Sequence, residues 1–262
     1  MIFQFARVRK ALKLLRRKGY RRGLWRGIGA STEHERVLRL RKWQTVVDIG
    51  ANRGQFSLAV QTLCPAAKII AFEPLTAPAK RFRGLFATNE SIRLHQCAIG
   101  PARGPFEMHV SGRDDSSSLL PMAELQNQLY PGTAEVAIET VTVAPLSDVV
   151  SAADIEPPAL LKLDVQGYEL ECLTGCVDLL DRFDYVYAEC AFAELYQGQA
   201  LANEVIDLLS SRGFVLAGVY NPAYDVTGAA VDGDFLFAKG QPAVRKPAQT
   251  TAHPETARAE AG

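Results

Sequence analysis

"TVVDIGANRGQF", Thr45–Phe56, decides how the chain is read. Thr45–Ile49 has the β-branched, apolar character of a buried strand, yet it carries Asp48 and runs into Gly50, Asn52 and Gly54. Gln55–Leu63 then reads as a helix closed by Pro65. Polar groups at the end of a buried strand need a purpose. In an open parallel sheet, ligands sit outside the carboxyl ends of the strands, where the strand order reverses. Gly50 and Gly54 let the backbone turn sharply and approach a ligand, and the amides opening the next helix face its polar groups. The other reading is a glycine turn that joins strand to helix and holds nothing.

Moving outward, strands and helices alternate. Lys68–Phe72 is the second strand and ends at Glu73-Pro74, Ala77–Ala87 is a helix, and Ile92–Ile99 is the third strand. Leu160–Asp164 and Tyr185–Cys190 are the fourth and fifth, separated by a helix beginning near Tyr168. Such βαβ units predict a mostly parallel sheet with helices on both faces. Ala202–Arg212 is a helix stopped by Gly213, and Phe214–Val219 and Asp234–Ala238 follow with no helix between them. They are predicted to pair as a hairpin, one strand antiparallel to the rest. Pro105–Val110 and Glu139–Val143 read as short strands flanking the polar insertion "SGRDDSSSLLPMAELQNQLYPGTA". Within it, "DDSSSLL", Asp114–Leu120, either folds over a ligand or is a mobile surface insertion.

Composition divides the chain. Residues 1–44 hold 14 Lys+Arg against 2 Asp+Glu, a net +12; the remainder holds 15 against 27, a net −12. Within residues 1–30, Phe5, Val8, Leu12 and Leu15 recur at helical spacing among arginines and lysines, before Gly19, Gly23, Gly27 and Gly29 interrupt the pattern. Such a helix caps the body with its apolar stripe or makes peripheral contact with an anionic membrane. The division expected is a basic segment (1–44), a catalytic domain (45–239) and a disordered tail (240–262) poor in large apolar groups. No apolar run approaches the roughly 18–20 residues of a membrane span. No apolar segment follows the first basic residues as in a secretory signal. Five cysteines without C-x-x-C spacing suit a reducing compartment, so a cytoplasmic location is expected. Cys172 and Cys176 read as buried hydrophobes rather than a metal pair.

Glu73 ends the second strand, 25 residues after Asp48, where an acid accepts both hydroxyls of a ribose. The spacing D-x-G-x-x-x-G differs from the G-x-G-x-x-G of a pyrophosphate cradle. It suits a sulfonium cofactor, with Asp48 holding the cationic methionine end. "VVDIGANRGQFS", "AFEP", "LLKLDVQGYELECLTG", "YAECAFAELYQGQ" and "GDFLFAK" together resemble the FkbM-type family of S-adenosylmethionine-dependent methyltransferases over roughly residues 40–240. The resemblance implies a class I, Rossmann-like fold with a seven-stranded sheet and an antiparallel last strand. It implies S-adenosylmethionine as cofactor and a hydroxyl acceptor on a sugar, glycan or natural product. Carried over, Asp48, Gly50, Ala51, Asn52 and Gly54 form the cofactor loop, Glu73 takes the ribose, and Ala98 and Ile99 border the adenine.

Methyl transfer needs donor and acceptor held in line, and an alcohol must also lose its proton to a base or bind a metal. Asp164 and Glu189 end the fourth and fifth strands at the rim that carries Asp48, so they are the candidate catalytic residues and the possible ligands of a divalent metal. Asp164 has a second reading as a helix cap, Glu189 as the ion-pair partner of Lys162 or an arginine, and Glu169 as an acid favoured by the first turn of a helix. His95 and His109 lie within strands, and neither has a nucleophile at triad spacing. Tyr196 and Tyr224 are candidates for lining an acceptor pocket. Two rivals remain. An NAD-type dehydrogenase shares the second-strand acid but would not need an antiparallel last strand. An RNA methyltransferase would suit the Arg-rich front, but the body is acidic and offers no long track for phosphates, so nucleic acid is not the expected partner.

Overall fold

The computed structural model of the chain describes residues 14–240. The expectations for residues 1–13, which hold most of the basic amphipathic pattern, and for the tail after residue 240 lie outside the described residues. Helices α1 (Lys18–Trp25) and α2 (Glu35–Leu38) come first, followed by β1 (Thr45–Ile49), α3 (Gln55–Leu63), β2 (Lys68–Phe72), α4 (Thr76–Phe86) and β3 (Ile92–His95). Next are β4 (Ala98–Ile99), β5 (Gly104–Ser111), α5 (Glu124–Leu129) and β6 (Glu135–Ala144). The chain closes with β7 (Ala159–Leu163), α6 (Glu169–Gly175), β8 (Tyr185–Ala191), α7 (Ala202–Ser211), β9 (Phe214–Tyr224) and β10 (Ala230–Lys239).

Seven strands form the main sheet in the order β3-β2-β1-β7-β8-β10-β9. The first five are parallel to their neighbours, and β10 runs antiparallel to both β8 and β9. This is the class I methyltransferase arrangement, and the predicted hairpin supplies its reversed strand. Alternation along each strand feeds two cores. Val47, Ile49, Leu161 and Leu163 face one side with α6 and α7. Val46, Leu160, Tyr187 and Leu236 face the other with α3, α4 and the N-terminal helices. The strand order reverses between β1 and β7, which places the carboxyl ends of β1, β2, β7 and β8 around one opening.

Two features depart from the expected pattern. The run Ile92–Ile99 is two strands. The chain leaves the sheet edge at Gln96, whose side chain accepts from Arg83 and donates to Thr76, and Ala98–Ile99 pair with β6 in a separate three-stranded sheet, β4-β6-β5. The glycines at 19 and 23 do not interrupt a helix; they lie within α1. A Cβ at Gly19 would stand 2.3 Å from Thr62 Oγ1, and one at Gly23 would stand 2.3 Å from Leu58 Cδ2, so the missing side chains let α1 pack closely on α3. Leu14, Tyr20, Ile28 and Ala30 are buried in the same core. The described part of the basic segment thus spends its apolar face on the body. Trp25 stays 90% exposed among arginines. No helix among the described residues is long and apolar enough to cross a membrane.

Candidate active site

A cavity of about 640 Å³ opens at the carboxyl ends of the parallel strands. Its first wall is the loop after β1. Gly50 and Ala51 donate their amides to the Phe72 carbonyl at 3.1 and 2.9 Å, tying the loop to the end of β2. Gly50 has φ +76°, and a Cβ there would lie 1.8 Å from the Asp164 carbonyl oxygen, so glycine lets the loops after β1 and β7 touch. Asn52, φ +47°, turns its amide toward Glu73 Oε2 at 2.9 Å. Leu75 N–H donates to Glu73 Oε1 at 2.9 Å. Burial pushes the Glu73 carboxyl up to about 7, against the pull of those two amides. Each Glu73 oxygen keeps a further lone pair, and the carboxyl lines the cavity.

The remaining cofactor-loop residues divide. Ala51, Asn52, Ala98 and Ile99 line the cavity with Gly50 and Glu73, whereas Asp48 and Gly54 do not. Asp48 has no exposed surface. It sits beneath the loop, accepts from Ser57 Oγ at 2.7 Å and pairs with Lys162 Nζ at 3.2 Å, across the β1–β7 register that sets the two residues side by side. Gly54, φ +93°, opens α3, and its missing Cβ makes room for Phe86 and Phe82 at 2.6 and 3.0 Å. Both residues build the loop from below.

Lys162 links this foundation to the catalytic rim. It donates to the Gly50 carbonyl at 3.1 Å and stands 3.5 Å from Asp164 Oδ2. Burial opposes its charge, but Asp48 and then Asp164 outweigh burial and keep the ammonium protonated above its usual range. Burial also raises Asp164, yet Lys162 and the Gln166 amide bring that carboxyl below the usual aspartate range. Gln166, held at φ +57°, donates Nε2 to Asp164 Oδ1 at 2.9 Å and to Glu189 Oε2 at 2.7 Å, and it accepts from the Tyr196 hydroxyl at 2.8 Å. The two candidate carboxylates are therefore brought together with an amide donor between them. Glu189 is raised well above the glutamate range by burial and by Asp164, Glu169, Asp234 and Asp232 around it. Its partner is Gln166, not an arginine. Glu169 opens α6, as its sequence position suggested, accepts from the Val165 amide at 3.1 Å and is pushed up to about 7 by burial.

Period-two alternation explains the rest of this wall. Asp232 and Asp234 fall on one face of β10, and Asp234 stands opposite Glu189 of β8. Asn221, φ +47°, donates to Asp234 Oδ2 at 2.7 Å, and Tyr130 donates to Asp232 Oδ2 at 2.6 Å. Among the described residues, the three non-glycine residues with positive φ, Asn52, Gln166 and Asn221, all line the cavity, which is where backbone strain collects in functional sites. The polar insertion folds over the opening. Asn52 Nδ2 donates to the Asp114 carbonyl at 2.9 Å, Arg53 pairs with Asp114 at 3.2 Å, and the Tyr196 hydroxyl lies 3.0 Å from the Ser116 carbonyl.

Sequence reasoning did not single out Gln166, Asn221, Asp232, Asp234, Tyr130 or His34, all of which line the cavity. It named Lys162 only as a possible partner of Glu189. A lysine inside the apolar run "ALLKL" is itself a signal of a buried ion pair, and "VDGD" places two acids on one strand face. Tyr196 lines the cavity as expected, whereas Tyr224 lies outside it and is 62% exposed. His95 stacks on Phe72 and His109 bonds to Glu135, both away from the cavity. Cys172 and Cys176 are buried in the core.

The FkbM methyltransferase domain model matches residues 48–216, more than half of the chain. The chain belongs to the FkbM methyltransferase family. A 2-O-methyltransferase, NoeI, of Sinorhizobium fredii is 29% identical over 63% of this chain and 71% of its own. The 31-O-demethyl-FK506 methyltransferase FkbM of Streptomyces tacrolimicus is 27% identical over 71% of this chain and 78% of its own. A crystal structure of an FkbM methyltransferase from Methylobacillus flagellatus matches 75% of this chain and 45% of that one at 15% identity and a TM-score of 0.47. As a member of the FkbM family the protein is an enzyme, a methyltransferase that uses S-adenosylmethionine as methyl donor.

Proposed function

We propose that the protein methylates a hydroxyl oxygen on a sugar, glycan or other polyhydroxylated small molecule. The observation that carries this reading is the wall of hydrogen-bond acceptors beyond the glycine loop. Asp164, Glu189, Asp232 and Asp234 converge there from three strands, with Tyr130 and Asn221 beside them. Such a wall hydrogen-bonds hydroxyl groups, with Asp164 ionised to accept and the raised carboxyl of Glu189 suited to donate, so it favours a polyol over RNA. The two relatives described above, one named as a 2-O-methyltransferase and the other for a 31-O-demethyl substrate, support an oxygen acceptor. Five free cysteines suit a cytoplasmic setting.

The residues fit the donor. Glu73 offers carboxylate lone pairs to the two ribose hydroxyls, Gly50 and Asn52 bring backbone close, and Cys97, Ala98, Ile99 and Leu119 form an apolar slot for adenine. When bound, S-adenosylmethionine supplies an electrophilic methyl group on a positive sulfur. Asp164, kept ionised beside Lys162, accepts the hydrogen bond of the acceptor hydroxyl and orients its oxygen. Glu189 and Asp164 are not assigned a metal. Gln166 Nε2 already donates to both, and among the described residues no group of three or more His, Cys, Asp or Glu is arranged to hold one. The test is methyl transfer from radiolabelled donor to a panel of methyl hexosides, 6-deoxyhexosides and macrolides, with the product located by NMR. Asp164→Asn is expected to keep donor binding within about threefold. It is expected to lower turnover on any accepted hydroxyl by about 100-fold. A product methylated on nitrogen or carbon, or normal turnover in Asp164→Asn, contradicts the proposal.

A further inference from the structure

His34 reaches the cavity from outside the family match. It closes the short helical turn Thr32–His34, and the Ser31 amide donates to the Gln55 carbonyl at 3.1 Å, which ties this turn to the start of α3. The ring stands edge-on to Phe56 at 5.4 Å and to Tyr187 at 5.5 Å, and its side chain is only 13% exposed. Nδ1 is 3.0 Å from the Tyr187 hydroxyl and 3.5 Å from Asp234 Oδ2.

The hydrogen-bond roles follow from what each group has to give. Burial and the nearby Asp234 hold the proton on the Tyr187 hydroxyl. Burial pushes the Asp234 carboxyl up, against the pull of His34 and Asn221; in its ionised form it only accepts, which directs the single tyrosine proton to Asp234. The tyrosine oxygen is left to accept, and His34 Nδ1 must carry the proton it offers. A neutral imidazole then has its lone pair on Nε2. Among the described residues, no hydrogen-bond partner holds Nε2.

We propose that His34 is the proton acceptor of the reaction. This step rests on the hydroxyl-acceptor reading. As the acceptor oxygen attacks the methyl carbon, the C–O bond forms and the C–S bond breaks, its electron pair staying on sulfur, which becomes a neutral thioether. The O–H bond breaks and its proton goes to Nε2, giving an imidazolium that Tyr187 and Asp234 stabilise and that later loses a proton to solvent. Asp164 suits orientation better than proton uptake, because a carboxyl held below its usual range is a weak base. Among the described residues, the charged or titratable groups around the ring include Asp234 from β10, Tyr187 from β8, Asp164 at the end of β7 and the neighbouring Glu33.

The test has two arms. The full-length protein, uniformly ¹⁵N-labelled and saturated with S-adenosylhomocysteine, is examined by long-range ¹H–¹⁵N correlation of its four histidines, with His34→Gln giving the assignment. The expected result is an Nδ1–H tautomer with unprotonated Nε2 at neutral pH, reverting toward a mixture in Tyr187→Phe. An Nε2–H tautomer in the wild type overturns the proposal. In the second arm, kcat of His34→Gln on any glycoside the wild type methylates is expected to fall by about 100-fold, with KM and donor affinity held within about threefold. Unchanged kcat overturns it, and so does a loss confined to KM. Failure of the wild type to methylate any hydroxyl in the panel defeats the underlying reading instead, and the tautomer measurement is independent of that outcome.

Discussion

At the scale of single residues, Lys162 holds the site together. It is buried in β7, yet its ammonium meets Asp48, Asp164 and the Gly50 carbonyl. Removing it strands Asp48 as a buried charge with only Ser57 to serve it. Lys162→Met is therefore expected to cost about 3–5 kcal/mol in urea unfolding. Adding Asp48→Asn to that variant is expected to restore most of the loss, because the unpaired charge buried beneath the loop is gone and Asp164, which stays, is partly exposed at the rim. If Lys162→Met unfolds at the wild-type midpoint, the pair is not structural. Asp48 was legible in the sequence as a special residue, but its role was not. Only the β1–β7 register shows that its neighbour is a lysine and that both lie under the loop rather than on the cavity wall. Glu73 was legible in place, because a strand end before proline leaves an acid few places to go. Gln166 carried no signal, since a glutamine in a glycine turn is ordinary until its amide is seen spanning two carboxylates.

At the scale of elements, the turn from β1 into α3 is set by backbone conformation. Gly54 has φ +93°, and a side chain there meets Phe82 and Phe86. Gly54→Val combines a β-branched residue in the left-handed region with an aromatic clash, and is expected to lower stability by about 2–4 kcal/mol. Its folded fraction is expected to bind S-adenosylhomocysteine with near-normal affinity, since Gly54 does not line the cavity. Denaturant melts and calorimetry separate the two effects. Loss of affinity in a fully folded Gly54→Val protein contradicts this placement. The main strands were legible from alternating elements and the closing hairpin from the missing helix. The split of Ile92–Ile99 was not, because period alone cannot say that the last two residues take β6 as partner. The closure of the 111–134 insertion was not legible either, since it rests on backbone carbonyls of the insertion that lie against the Asn52 amide and the Tyr196 hydroxyl.

At the scale of the whole molecule, the charge split of the sequence directs attention to partners, but the described structure uses the basic segment for the core. Tyr20, Ile28 and Ala30 are almost wholly buried against α3 and its neighbours. Deleting residues 1–30 is expected to abolish cooperative unfolding and cofactor binding together, as the cap reading of the sequence implies. A truncated protein that unfolds cooperatively and binds normally contradicts that view. The parallel sheet, the order reversal beside β1 and the reversed β10 put every cavity wall at one edge, which is why the resemblance read from five motifs located the site without its full lining. The central claim is that this cavity holds the methyl donor through Glu73. The direct measurement is calorimetric titration of S-adenosylhomocysteine into wild type and Glu73→Ala across pH. Wild type is expected to bind with a Kd of about 1–10 μM near pH 8. Because the free carboxyl is pushed up to about 7, and hydroxyls need the ionised form, affinity is expected to fall by up to about tenfold on going to pH 6. Glu73→Ala is expected to bind about 10–100-fold more weakly at pH 8, without that pH dependence. Equal affinities for the two proteins at pH 8 would contradict the account.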